Sequence, residues 1–236
     1  MSLLSVSGVS ARHGLLTAVR EVTCEVEEGE TVALVGANGA GKSTLLRTLA
    51  GAHPASAGRI AFGGHDVTHR PAHRRTALGM VLVPEGRRLF PGLTVAENLA
   101  VAARRARPGP WDTARVYTAF PALEPLRSRD AVSLSGGEQQ MTAIARGLLS
   151  NPRLLMIDEV SLGLSPAAVD TVYRAMDEIS DRPTLLLVEQ DLARALAVAD
   201  RVICLLEGQI VLSAPSREVT REQVTSAYFG LRRAPA

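Results

Sequence analysis

Residues 36–44 read Gly-Ala-Asn-Gly-Ala-Gly-Lys-Ser-Thr. Three glycines followed at once by a lysine and a hydroxyl residue form a spacing that can bind a run of phosphates. Without a Cβ at Gly36, Gly39 and Gly41, the backbone can curl around an anion. The N–H groups from Asn38 through Ala40 to Thr44 then turn inward, and a helix opening at Lys42 adds its positive end. Lys42 supplies a full charge for the β- and γ-phosphates, and the Ser43 hydroxyl suits Mg²⁺, a hard ion that prefers oxygen. The blander reading, a glycine-rich turn between strand and helix, does not explain the Lys-Ser pair at this offset. A nucleoside triphosphate site is expected, with Mg²⁺ at the Ser43 hydroxyl.

Two further groups carry chemistry. Leu154-Leu155-Met156-Ile157 is an apolar run ending in Asp158-Glu159. A carboxylate at the C-terminal end of a buried strand beside the phosphate-loop strand can hold Mg²⁺, which falls to Asp158. The next carboxylate points elsewhere and can polarise an attacking water, which makes Glu159 the general base. Alone, an apolar run with two acids is a weak signal, because strands often end in acids. The other group is Leu134-Ser135-Gly136-Gly137-Glu138-Gln139-Gln140. Ser135 and Glu138 form a capping box. Gly136 and Gly137 then occupy the first turn of a helix, where main-chain N–H groups lack helical partners and a phosphate can come close. For this stretch by itself an ordinary capped helix is the competing reading. Two phosphate sites for one nucleotide make sense if two molecules pair head to tail, each nucleotide lying between the Lys42 loop of one and the Ser135 helix of the other.

These residues need a scaffold of alternating strands and helices. Thr31–Val35 reads as a buried strand into the phosphate loop, and Lys42–Ala50 as a helix ended by Gly51. Strands are expected at 3–9, 19–27, 59–62, 80–83, 154–157, 184–188, 202–206 and 209–212, with His13 in the loop between the first two. Thr94 and Glu97 form another capping box, opening a mainly helical stretch to Leu149 that is broken at several prolines. Pro166 after Ser165 starts a helix to about 179, and Asp191 caps one to Ala199. The pattern predicts a mainly parallel sheet.

A chain of 236 residues with 46% hydrophobic but 3% aromatic content builds its core from aliphatic side chains. A net charge of +2 with interspersed signs predicts no nucleic-acid partner. Cys24 and Cys204 read as packed thiols of a reducing compartment. His65, His69 and His73 fall four apart, yet Pro71 interrupts any shared helix, so solvated loop histidines are expected in preference to a metal site. Arg104, Arg105 and Arg107 read as a solvated helix end, with contact to lipid headgroups or a partner as the alternative. There is no basic-then-apolar leader and no stretch near the length of a membrane span. A soluble chain is expected, reaching a membrane only through a partner.

The succession of phosphate loop, Leu134–Gln140 signature and Asp158-Glu159 run resembles the ATP-binding cassette (ABC) family over essentially the whole chain. Val83–Pro91, Ser161–Pro166 and Leu187–Gln190 further resemble the ATPase subunits of branched-chain amino acid importers. The resemblance implies an α/β fold with a P-loop NTPase (RecA-like) core and a mainly parallel sheet. It adds an N-terminal antiparallel β subdomain and a helical insert subdomain. It implies one domain over 1–236, with the helical subdomain at about 86–149. It gives His13 the position of the aromatic that stacks on adenine. Glu85 matches a glutamine linking the γ-phosphate and Mg²⁺ to the helical insert. Ser161–Ser165 matches a loop crossing the dimer interface, and Gln190 matches a switch histidine contacting the γ-phosphate.

Several positions depart from the wider pattern. His13 is smaller than tyrosine, Glu85 is anionic and repels the γ-phosphate while tolerating Mg²⁺, and Gln190 cannot titrate. Val160 stands where a proline is usual. The implied partners are membrane permease subunits, a paralogous or identical ATPase in a head-to-tail dimer and, indirectly, an extracytoplasmic substrate-binding protein. The implied place is the cytoplasmic face of the cell membrane, held peripherally. Urea or amides are alternative cargoes. A soluble non-transport ABC ATPase is the alternative role, and a P-loop kinase is disfavoured by the Ser135 helix.

Overall fold

The computed structural model describes residues 2–179 and 182–230. In chain order the elements are β1 (Ser2–His13), β2 (Leu16–Glu27), β3 (Thr31–Val35), α1 (Lys42–Leu49), β4 (Ala57–Phe62), β5 (His65–Asp66), α2 (Ala72–Leu78) and β6 (Met80–Val83). There follow α3 (Val95–Ala103), α4 (Thr113–Ala119), α5 (Gly136–Leu148), β7 (Leu154–Ile157) and α6 (Pro166–Asp177). The last are β8 (Thr184–Val188), α7 (Leu192–Val198), β9 (Arg201–Leu206), β10 (Gln209–Pro215) and α8 (Arg221–Tyr228). Two compact units divide the chain, one of residues 1–75 with 184–236 and the other of 76–183.

The first unit holds two kinds of β structure, and burial separates them. In β3 and β8 every residue is buried, as expected of parallel strands covered on both faces. β3 lies between β8 and β9, parallel to both, so its neighbours are these two and not the Leu154–Ile157 strand that the sequence suggested; β10 joins β9 in antiparallel fashion. The N-terminal sheet, ordered β2-β1-β4-β5, is wholly antiparallel and mixes buried with exposed positions along each long strand. Beneath β3 and β9, Ala33, Val35, Val202 and Cys204 pack with Ala195 of α7 and Val224 of α8. That aliphatic core fixes the strand that delivers the phosphate loop. Burial pushes the thiols of Cys24 and Cys204 up to about 11, so neither is poised to react.

In the second unit β6 and β7 run parallel. α5 packs on both strands and against α3 and α6. Its approach is close: a Cβ on Gly147 would meet Leu155 Cδ1 and Val83 Cγ2 at 3.0 Å. The Thr94 capping box is formed, with Thr94 N–H donating to Glu97 Oε2 at 2.8 Å. Buried Asn98 binds the preceding loop through both ends of its amide, accepting from Phe90 N at 2.9 Å and donating to Phe90, Leu93 and Thr94 carbonyls.

Several expectations change. His13 is the last residue of β1, paired with Leu16 across a two-residue turn, and not a loop residue. The first strand extends further than expected because bulges let it keep pairing with β2 through four register shifts. α2 and α8 were not foreseen; both are short, and α8 buries only Val224. His65 lies in β5 and His73 in α2, so the three histidines share no helix, and all three are exposed. Cys24 is half-buried, not a core thiol like Cys204. Arg107 is not simply solvated: its guanidinium donates to the Asn151 carbonyl at 2.9 Å, over Gly79, where a Cβ would lie 2.6 Å from Nη1.

One ion pair ties the two sheets of the first unit. Arg201 at the start of β9 donates to Glu30 Oε1 at 2.7 Å and Oε2 at 2.9 Å, and also to the Glu25 carbonyl of β2. Burial alone would raise the Glu30 carboxyl, but the hydrogen bonds from Arg201 and from Glu27 hold it below its usual value. A lowered carboxylate pKa stabilises the fold above the unfolded pKa and loses that contribution as pH falls through the folded one. Glu30→Gln should therefore cost about 2 kcal/mol near neutral pH, as expected for a hydrogen bond to a charged group. Urea melts at pH 7 and pH 3 test this: the gap between wild type and variant should shrink at pH 3.

Candidate functional site

The phosphate loop leaves β3 at Gly36 and enters α1 at Lys42. Gly36, Gly39 and Gly41 all have positive φ, at 149°, 83° and 101°. Two of them are also demanded by space. A Cβ on Gly36 would lie 2.3 Å from the Leu205 carbonyl oxygen, and one on Gly41 the same distance from that of Ala18, whereas Gly39 has open space around it. The β9–β10 turn braces the loop through Gly208 N–H, which donates to the Ala40 carbonyl at 3.0 Å. Sequence reasoning saw Glu207-Gly208 only as a turn. The local sequence carries no sign that its glycine lies against the loop.

Lys42 is buried and folds back over the loop, its ammonium donating to the Gly36 carbonyl at 2.6 Å and the Ala37 carbonyl at 3.0 Å. The same charge that would meet phosphate oxygens thus holds the cradle in shape. Asn38, Gly39 and Ala40 form the turn between, with Ala40 N–H donating to the Ala37 carbonyl at 3.0 Å. Ser43 and Thr44 fall in the first turn of α1, where N–H groups have no helical acceptor. His13 comes to the same place from β1, its Nε2 3.2 Å from Thr44 Oγ1. Gln190 follows β8 and is exposed, while Glu189 before it is completely buried and donates its N–H to the Leu34 carbonyl at 3.2 Å. Glu189 was missed: a carboxylate at a strand end next to β3 is the same signal that drew attention to Asp158.

In the second unit, Asp158 directly follows β7, is 1% exposed and donates its N–H to the Val83 carbonyl. Glu159 has a positive φ of 56°, an uncommon state for a residue with a Cβ that costs about 1–3 kcal/mol and concentrates at functional sites. It is half-buried. Val160 after it is fully buried, so it serves as a packing residue there. Ser161–Leu164 turns on itself, with Leu164 N–H donating to the Ser161 carbonyl at 3.2 Å, and exposes Leu162. Glu85 follows β6 and is half-buried. The Ser135 capping box forms as expected, with Ser135 N–H donating to Glu138 Oε2 at 2.8 Å and Ser135 Oγ–H at 2.7 Å. Those two bonds hold the Glu138 carboxyl below its usual range.

The glycines of that helix have a reason the sequence did not give. A Cβ on Gly136 would lie 3.0 Å from Leu164 Cδ2, and one on Gly137 3.0 Å from Ala168 Cβ. Their missing side chains thus make room for the 161–165 turn and for α6. Arg87, quoted only as part of a motif, also belongs here. It donates to Gln139 Oε1 at 3.0 Å, and its Nη2 would lie 3.3 Å from a Gly136 Cβ. Arg146 in turn donates to the Arg87 carbonyl at 3.1 Å.

The donors offered for a cation are a hydroxyl at Ser43 and carboxylates at Asp158 and Glu85, all oxygens. Among the described residues no three His, Cys, Asp or Glu side chains gather as a metal cage. Taken one by one, each is the kind of hard oxygen donor that Mg²⁺ prefers.

The profile of the ABC transporter family matches residues 19–161. The chain is 40% identical over 232 residues to the high-affinity branched-chain amino acid transport ATP-binding protein BraG of Pseudomonas aeruginosa, covering 97% of this chain and all of that one. It is 38% identical to the Fe(3+) ions import ATP-binding protein FbpC of Streptomyces coelicolor, over 92% of this chain and 63% of that one. Among solved structures, an ATP binding subunit of an ABC transporter superposes with a TM-score of 0.77 at 30% identity, covering 99% of this chain and 95% of that one.

The loop geometry sorts its glycines. Gly39→Ala, with open space but a left-handed backbone, should weaken nucleotide binding by about 1 kcal/mol. Gly36→Ala and Gly41→Ala, each pressed against a carbonyl, should abolish it. Equilibrium dialysis with ATP distinguishes the three; equal effects would contradict the cradle geometry.

Proposed function

The chain belongs to the ABC transporter family, and from that premise we propose that it is the ATP-hydrolysing subunit of an importer for branched-chain or other hydrophobic amino acids. The observation that carries this reading is the presence in one chain of two helix starts suited to phosphate, at Lys42 and at Ser135. The cargo is supported by the likeness to BraG over nearly the full length of both chains. FbpC, named for Fe(3+) import, is almost as similar. A cassette that acts only on ATP has no need to differ with the cargo.

ATP is held by main-chain N–H groups of the 38–44 stretch, except that of Ala40, which is spent on the Ala37 carbonyl and not on phosphate as the sequence suggested, with Lys42 exchanging its two carbonyl partners for β- and γ-phosphate oxygens. Adenine stacks on His13. Ser43, Asp158 and Glu85 would hold Mg²⁺, which when bound would neutralise charge on the phosphates. Glu159 orients the attacking water and takes its proton as the new bond to the γ-phosphorus forms and the bond from that phosphorus to the β–γ bridging oxygen breaks, with ADP leaving. Gln190 donates its amide to the γ-phosphate oxygens. Having no charge to lose, it does this at any pH where the fold persists.

Hydrolysis serves transport through a partner copy or paralogue. The γ-phosphate on the Lys42 loop of one chain meets the Gly136 and Gly137 amides of the other. ATP binding thus closes the pair, and loss of the γ-phosphate opens it. No helix among the described residues is long and apolar enough to cross a membrane. Work on a cargo then passes to permease subunits, fed from outside by a binding protein, with this chain held peripherally on the inner face.

Glu159→Gln keeps the side-chain shape but cannot take a proton. It should bind ATP with wild-type affinity, lose turnover by roughly 10²–10⁴-fold, and accumulate a nucleotide-bound dimer. Phosphate release and size-exclusion chromatography with ATP test this. Turnover within a few-fold of wild type would remove Glu159 from the role of base.

A further inference from the structure

We propose that His53 is a positioning residue of the base-binding site, holding the His13 ring in place as the second half of a two-histidine platform for the purine. The inference rests on the reading of His13 as the ring that stacks on adenine.

His13 sits at the tip of a β-hairpin and is exposed. A lone imidazole there would lose rotamer freedom on meeting a base, and it offers less area than a phenol ring. Two contacts already fix it. Its Nε2 lies 3.2 Å from Thr44 Oγ1 in the first turn of α1, and its ring lies 4.4 Å, centroid to centroid, from that of His53 with the planes tilted by 37°.

His53 is itself anchored at both ends. Its Nε2 is 3.0 Å from the Arg12 carbonyl oxygen. A carbonyl only accepts, so this nitrogen carries the proton. Its main-chain N–H donates to the Arg47 carbonyl at 3.1 Å, in the last turn of α1. The turn that brings it there needs Gly51, at φ 74°, where a Cβ would lie 2.7 Å from Arg75 Nε. Buried Arg75 in turn donates to the Thr48 and Leu49 carbonyls that end α1, at 2.8 and 2.6 Å. The His13 ring is thus held from both ends of the helix that starts the phosphate loop: by Thr44 directly, and through His53 from Arg47. This couples the place of the base to the place of the phosphates within one unit.

The test compares ATP with tripolyphosphate, which has the phosphates but no base, on the full chain. His53→Ala should weaken ATP binding about fivefold, the size of one ring–ring contact, and leave tripolyphosphate affinity within about twofold. His53→Phe, which keeps a ring but loses the bond to Arg12, should recover most of the loss. His13→Ala should weaken ATP at least as much as His53→Ala. Equal weakening of ATP and tripolyphosphate by His53→Ala would show a general structural role and overturn the proposal. An unchanged ATP affinity in His53→Ala, with His13→Ala impaired, would overturn it while leaving His13 as the base site. An unchanged affinity in His13→Ala would sink the base reading and this inference together.

Discussion

The constraint on which the rest depends is that a triphosphate must be met by main-chain N–H groups with nothing in the way. Side-chain cations alone are flexible, and each would have to be ordered at binding. A curled backbone at a helix start is ordered before the ligand arrives, and its partial charges point inward. The cost is three residues at positive φ, two of them packed against carbonyl oxygens. Aliphatic packing under β3 and β9 holds the strand, the Gly208 bond holds the loop, and the Lys42 ammonium closes it across two carbonyls. The ion pair of Glu30 with Arg201 serves the same end from further off, fixing the strand that feeds the loop.

The sequence was most legible where local chemistry and tertiary structure agree. β3, β6, β7 and β8 fall where the apolar runs put them because a strand buried on both faces has no polar position to blur its ends. The boxes at Thr94 and Ser135 were readable because a cap is a contact between residues three apart. What escaped was decided at long range. Gly208 lies against the phosphate loop though it is more than 160 residues away in the chain, and nothing around it announces that role. α8 has a weak apolar face and packs on β9 only once the sheet exists.

Some residues were seen for one reason and proved to have another. Gly136 and Gly137 were read as room for a phosphate, yet their Cβ directions are filled by Leu164 and Ala168. Both needs can hold, because the amide and the Cβ of a residue point different ways. The close packing gives the 161–165 turn a direct grip on the start of α5, so a shift of one displaces the amides of the other. Glu159 shows the reverse case: its type drew attention in the sequence, and its left-handed backbone is an independent physical mark on the same residue.

The central claim is that no single chain holds a complete reaction centre. The most direct measurement is a structure of the Glu159→Gln chain in its full assembly, trapped with Mg²⁺ and intact ATP. A shared centre predicts the Gly136 and Gly137 amides within hydrogen-bond distance of a γ-phosphate seated on the neighbouring subunit's phosphate loop. Amides turned to bulk solvent, with each nucleotide enclosed by one chain alone, would contradict it.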